Sequence, residues 1–249
     1  SYRLQSPQEA LQGLRTKFGT WVKGISWDSF REQLRALDKK VEATADRTLL
    51  SLGTLGGGNH FQEVEEDAKN YYLTVHSGSR QFGLKTAVYH QKKAKKLNPY
   101  GDLSWLEGDD AQEYLHDMQI AQTYANVNRK IMLELMAENF GIPFQEAKHL
   151  RHITSVHNYI EMEDGVATIR KGAISAKLNE WLLIPWNMKD GMLIGHGKGN
   201  EDWNFSAPHG AGRTMSRTQA KKTLSLEDYK QEMEEAGVWS SCVGKSSLD

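Results

Sequence analysis

The stretch Ser155–Gly197, "SVHNYIEMEDGVATIRKGAISAKLNEWLLIPWNMKDGMLIGHG", decides the fold class. It holds four runs rich in β-branched and aromatic residues: "SVHNYIEM", "VATIRKGAI", "WLLIPWNM" and "GMLIGHG". Gly, Asp and Asn separate them, as turn residues separate strands. No helical pattern intervenes, so the strands are expected to pair antiparallel. The preceding half reads differently. Tyr114, Met118, Ala121, Ala125, Asn128, Met132 and Met136 recur every three or four residues within Asp109–Asn139. That spacing predicts one face of a long helix, ended by Gly141 and Pro143. Helices and antiparallel strands together predict an α+β fold.

The segment from Ser6 to Ala45 is also expected to be helical. Ser6 suits an N-cap with Pro7 at the first helical position. Phe30, Leu34, Leu37 and Val41 share one helical face. "YYLTVHSGSR", Tyr71–Arg80, predicts a strand stopped at Ser77-Gly78-Ser79. Thr86–Leu97 is expected to be helical, with Lys92, Lys93, Lys95 and Lys96 as a solvated basic face.

Composition sets bounds. The chain has 249 residues, 39% apolar and 25% charged, as ordinary globular proteins do. No apolar run is long enough to span a membrane. Its one cysteine, Cys242, fits a reducing cytoplasm. With a net charge of −1, any nucleic acid must be held by a local basic patch.

Four of the nine histidines stand at expected strand ends or glycine turns. His60 follows Gly56-Gly57-Gly58, His76 ends an apolar strand, His157 lies in "SVHNYIE", and His209 opens "HGAGR". Neutral imidazole ligates borderline divalent metals, yet no zinc spacing is present. Each histidine alone reads more readily as a hydrogen-bonded structural one, and it is the four together that point to a ligand cluster. The residues by themselves reach only a histidine-rich site of metal-binding type. The glycines at 56–58, 210 and 212 suit either close approach of a phosphate or base to backbone N–H groups, or tight turns. Arg80, Arg213 and Arg217 lie beside these turns, as phosphate-binding guanidinium groups do. Arg170 is expected to be surface charge.

The motifs "LGTLGGGNHFQE", "VHSGSR", "YLHDMQIAQTYANVNR", "SVHNYIE", "IRKGA" and "PHGAGRTMSR" occur in the order and approximate spacing of the RtcB family. The chain resembles that family from about Leu50 to Arg217. The family consists of RNA ligases that depend on GTP and manganese. The resemblance implies an α+β fold with a deep cleft, one ligase domain over residues 1–249, two Mn2+ ions and GTP. The implied substrate is RNA with 3′-phosphate or 2′,3′-cyclic phosphate ends and 5′-hydroxyl ends, in tRNA splicing or RNA repair, with no membrane.

By motif, His209 matches the guanylylated nucleophile. His60 matches one manganese ligand, and His76 and His157 the ligands of the second ion. Asn59 and Glu63 match positions beside the nucleotide, with Gly210, Ala211, Gly212 and Asn187. Arg80, Arg213 and Arg217 match RNA-phosphate contacts, and Lys171 of "IRKGA" joins them.

Three departures accompany the resemblance. The family's Asp-x-x-Cys metal segment has no counterpart before Leu50. Its terminal guanine-pairing lysine is not matched, since Lys245 sits in "GKSSLD". Its "PGSMG" nucleotide loop reads "PWNMKDG" here. The expectation is a divergent ligase lacking segments at both ends and inactive alone. The alternatives are an inactive RNA- or nucleotide-binding relative and a metal-dependent cyclic-phosphate hydrolase.

Overall fold

The computed structural model describes residues 15, 17–143, 146 and 149–244. Ser6, Pro7 and Lys245 lie outside the described residues. The fold falls into two compact units, divided between Leu150 and Arg151.

The first unit is mainly helical. Helix α1 (Trp27–Lys40) starts where the Ser26 hydroxyl accepts from the Ser29 amide at 3.2 Å. Phe30, Leu34, Leu37 and Val41 are all buried, as their spacing predicts. Helix α2 (Ala45–Leu50) follows. Strand β1 (Phe61–Glu66) pairs antiparallel with β2 (Tyr71–His76), from Phe61 opposite His76 to Glu66 opposite Tyr71. Asp67 closes the turn, accepting from the Lys69 and Asn70 amides at 2.7 and 2.8 Å. Helix α3 (Arg80–Leu97) begins directly after the Ser-Gly-Ser turn, six residues earlier than its periodicity indicates. Helix α4 (Gly108–Asn139) is the long helix expected. Phe18, Trp27, Phe30, Leu34, Leu37 and Tyr124 belong to the core of this unit.

The second unit is built on antiparallel strands. Hairpin β3 (Tyr159–Glu163) and β4 (Val166–Arg170) turns at Asp164-Gly165, both with positive φ, as a tight Asp-Gly hairpin requires. Strand β5 (Ala173–Ser175) pairs with β8 (Ser206–Pro208), and β6 (Trp181–Asn187) with β7 (Gly191–His196). Helices α5 (Arg217–Thr223) and α6 (Leu226–Glu235) follow, capped by Ser216 and Ser225. Ile174, Ala176 and Leu182 form a small core. The mixed helix and antiparallel-strand architecture agrees with the α+β expectation.

Arg170 corrects its expectation. It is 3% exposed rather than surface charge. Its guanidinium pairs with Glu161 at 2.6 Å and donates to Tyr159 Oη, Ser206 Oγ and the Asn204 carbonyl. A buried guanidinium needs such partners, and here they tie β3 and β4 to β8.

One buried ionic group braces the helices. Asp117 on α4 is 2% exposed. It meets His90 Nε2 at 2.7 Å and Lys40 Nζ at 2.8 Å, linking α4 to α3 and α1. Burial raises its carboxyl, but the hydrogen bonds from His90 and Lys40 outweigh that and hold it below the usual range. Its stabilising contribution is therefore present above the ordinary carboxylate range and lost as pH falls through the depressed value. Asp117→Ala leaves Lys40 and His90 without this partner. It should cost about 3 kcal/mol in urea unfolding at pH 7, with a smaller difference in acid.

Candidate functional site

In the first unit, the glycine loop before β1 and the turn after β2 carry the candidate residues. The β1–β2 register places His76 opposite Phe61, next to His60. The His60 and His76 ring centroids are 5.9 Å apart, tilted by 41°. A metal–nitrogen bond of about 2.1 Å puts each ring centre about 3 Å from an ion, so two imidazoles sharing one ion stand roughly 5–6 Å apart. The pair fits that spacing. Among the described residues, no group of three or more His, Cys, Asp or Glu side chains is arranged to hold a metal ion. Burial lowers the His60 pKa, a hydrogen bond with the Leu55 backbone partly restores it, and Arg80 lowers it further. The net shift favours the neutral imidazole that a metal requires.

The glycines divide by role. A Cβ on Gly56 would overlap the Arg80 guanidinium and His60 Nδ1, and its φ is +103°. Glycine there lets both side chains lie against the backbone. Gly58, at φ +78°, meets a conformational need, whereas a Cβ on Gly57 would meet nothing. Arg80 is the first residue of α3, at φ +57°. Its Nε donates to Thr54 Oγ1 at 3.2 Å, and a terminal nitrogen stands 3.4 Å from His60 Nδ1. Among the described residues no carboxylate pairs with it. Asn59 is exposed on the loop.

Glu63 lies on the half-buried face of β1 with Glu65. Burial, then the charge of Glu65, push its carboxyl up to about 7.

In the second unit, the HGAGR turn follows β8 and the "RKG" segment precedes β5. Pairing of Ala173 with Pro208 brings the two together. His209 Nδ1 lies 2.7 Å from the Gly172 carbonyl. A carbonyl only accepts, so Nδ1 carries a proton, and in the neutral ring the lone pair lies on Nε2. Gly172 has φ +68°, and its amide donates to Asn158 Oδ1 at 2.9 Å. Asn158 therefore holds the peptide that orients His209. His157 stands beside His209, with ring centroids 4.8 Å apart.

Ala211 donates its amide to the Pro185 carbonyl at 3.1 Å, which sets the HGAGR turn against β6. Gly210 faces the same carbonyl, and Gly212 has φ +78°. Lys171 and Arg213 are exposed, and Arg217 is the first residue of α5. The "PWNMKDG" loop is the β6–β7 turn. Asn187 Oδ1 accepts from the Lys189 and Asp190 amides, both at 2.9 Å, and its Nδ2 donates to Asp190 at 2.7 Å. Tyr229 and Glu232 of α6 contact Met188 and Lys189 of this loop.

Sequence reasoning did not single out Asn158 or Gly172 as partners of the nucleophile candidate. Their signal, a glycine after two basic residues and an asparagine after His157, has meaning only once β5 pairs with β8.

Comparison with known proteins places this chain. The family model described as "RtcB: tRNA-splicing ligase RtcB" matches residues 17–248. The RNA-splicing ligase RtcB of Escherichia coli K12 is 35% identical over 197 residues, covering 71% of this chain and 48% of the relative. The tRNA-splicing ligase RtcB of Aeropyrum pernix is 29% identical over 285 residues, covering 91% and 59%. That of Methanococcus maripaludis is 28% identical over 243 residues, covering 77% and 51%. The chain belongs to the RtcB family. It spans about half the length of the curated relatives it matches.

The raised carboxyl of Glu63 has a measurable consequence. A carboxyl whose folded pKa lies above its unfolded value loses its stabilising contribution as pH rises through the folded pKa. Unfolding free energy should therefore decline between about pH 4.5 and about 7 on account of Glu63. Glu63→Gln should remove that decline, so the variant gains on the parent above pH 7 in urea titrations at pH 5.5 and 8.

Proposed function

We propose that this chain carries the catalytic histidines of a GTP- and manganese-dependent RNA ligase, with both units serving one ligase domain. The observation that carries the reading is the bond from His209 Nδ1 to the Gly172 carbonyl. It leaves Nε2 as the nucleophilic nitrogen without needing a base to remove a proton. The Nε2 lone pair attacks the α-phosphorus of GTP. A P–Nε2 bond forms, the bond to the bridging α–β oxygen breaks, and pyrophosphate leaves with that electron pair. The guanylate then passes to an RNA 3′-phosphate, with a 2′,3′-cyclic phosphate opened first. A 5′-hydroxyl displaces GMP and joins the strands.

His60, His76 and His157 would supply imidazole ligands to the two manganese ions. Bound manganese would supply charge neutralisation at the phosphates. Asn59 and Glu63 would lie by the nucleotide. The backbone of Gly210, Ala211 and Gly212 would face its phosphates, with Asn187 shaping the adjoining hairpin through its own turn. Arg80, Lys171, Arg213 and Arg217 would meet RNA phosphates as local positive charge on a chain of net charge −1. Among the described residues no helix is long and apolar enough to cross a membrane.

The test is covalent labelling by GTP radiolabelled at the α-phosphate, with manganese present. This polypeptide, a version extended to the length of the relatives, and His209→Ala in each are compared. Acid-labile label that disappears with His209→Ala is the expected result. Absence of label in an extended, folded, manganese-loaded protein overturns the ligase reading. RNA binding alone or release of a 3′-phosphate from cyclic-phosphate RNA would then distinguish the alternatives.

A further inference from the structure

Asn128 of α4 is completely buried, at 0% exposure. Its Oδ1 accepts from the Gly53 amide at 2.7 Å and the Thr54 amide at 3.2 Å. Its Nδ2 faces the Thr54 carbonyl at 3.2 Å, Ser77 Oγ at 3.1 Å and the Gly78 carbonyl at 3.3 Å. Two backbone donors on one side fix which end of the carboxamide is oxygen. A carboxamide offers two acceptor sites and two N–H donors, and every one is engaged. Ser77 Oγ in turn donates to the Leu55 carbonyl at 2.7 Å, on the residue whose backbone contacts His60. One side chain thus grips the segment leading to His60 and the turn leaving His76.

No other residue type reproduces this grip. Aspartate keeps the acceptors and loses both donors. Leucine leaves five polar groups facing an apolar side chain. Glutamine adds a methylene in a closed site. We infer that Asn128 is a positioning residue, acting partly through Ser77, that holds the segment before His60 and the turn after His76 so that both imidazoles are placed for divalent-cation binding. This rests on the reading that these two histidines bind manganese. Partners behind a ligating histidine typically change metal affinity by about 10- to 100-fold when removed.

The test uses the 249-residue chain, free Mn2+ measured by electron paramagnetic resonance, and amide exchange by NMR. The parent should bind Mn2+, and His60→Ala should weaken that binding at least about tenfold. Ser77→Ala, a small change that removes only a hydroxyl, should weaken Mn2+ binding about tenfold with the fold retained. Asn128→Ala should raise exchange at the Gly53 amide at least about tenfold relative to that of Phe30, which donates to the Ser26 carbonyl at 2.9 Å. Parent-like Mn2+ affinity in folded Ser77→Ala, or unchanged relative exchange in Asn128→Ala, overturns the inference. No Mn2+ binding by the parent, or binding indifferent to His60→Ala, overturns the manganese reading and with it the cation role given to Asn128. The exchange result then reports only whether the clamp exists.

Discussion

A polar group buried on a packed helix must be satisfied in full, and the first unit is organised by that constraint on α4. Three of its inward residues are polar. Asp117 draws in His90 and Lys40, Tyr124 donates to the Thr48 carbonyl at 2.7 Å, and Asn128 takes the glycine loop and the Ser-Gly turn. These bonds need donor–acceptor distances near about 3 Å and near-linear geometry, so they add directional constraints to the close packing of the core. The helix therefore fixes the register of α1, α3, the loop and the turn against itself. The β1–β2 register sets His76 beside His60, and the helix anchors the loop and turn on either side of them.

Much of the fold is legible because burial follows period. The α1 face at Phe30, Leu34, Leu37 and Val41 and the long α4 stripe are both found where the spacing puts them. Strand β1 was harder. "FQEVEE" places Glu63 and Glu65 on its half-buried face, so hydrophobic alternation is absent. Its identity comes from pairing with β2, a non-local fact. Strand β8 is three residues long and exists because β5 lies beside it. Arg170 misled for the opposite reason. An arginine at a strand end looks solvated until Glu161, Tyr159 and Ser206 converge on it from three other positions.

The candidate site was legible as residue types and opaque as relations. The glycine string marked a close approach, but the neighbours that come close at Gly56 are the chain's own Arg80 and His60. Gly57 meets no such demand. A sequence shows three equal glycines because it records composition, while the need for a missing Cβ depends on φ and on atoms many residues away. Asn128 shows the same limit. On the helical stripe it sits among apolar residues and reads as one more core position. Its function lies in five partners between residues 53 and 78.

The two histidine pairs follow from opposite uses of the imidazole ring. At His60, burial and the nearby Arg80 guanidinium both disfavour the protonated form, so the ring is biased to the neutral imidazole. At His209 the control is tautomeric, because the Gly172 carbonyl claims Nδ1 and leaves Nε2 in one defined role. A ligand needs only a lone pair, whereas a nucleophile needs the lone pair on the nitrogen that faces phosphorus. Backbone hydrogen bonding meets that stricter demand better than charge, since a carbonyl neither titrates nor moves with salt. The glycine at 172, with its positive φ and its amide held by Asn158, is how the chain presents such a carbonyl at the start of a strand. The same need for a fixed acceptor explains why the nucleophile candidate directly follows a paired strand, where neighbouring backbone is already immobilised by its ladder.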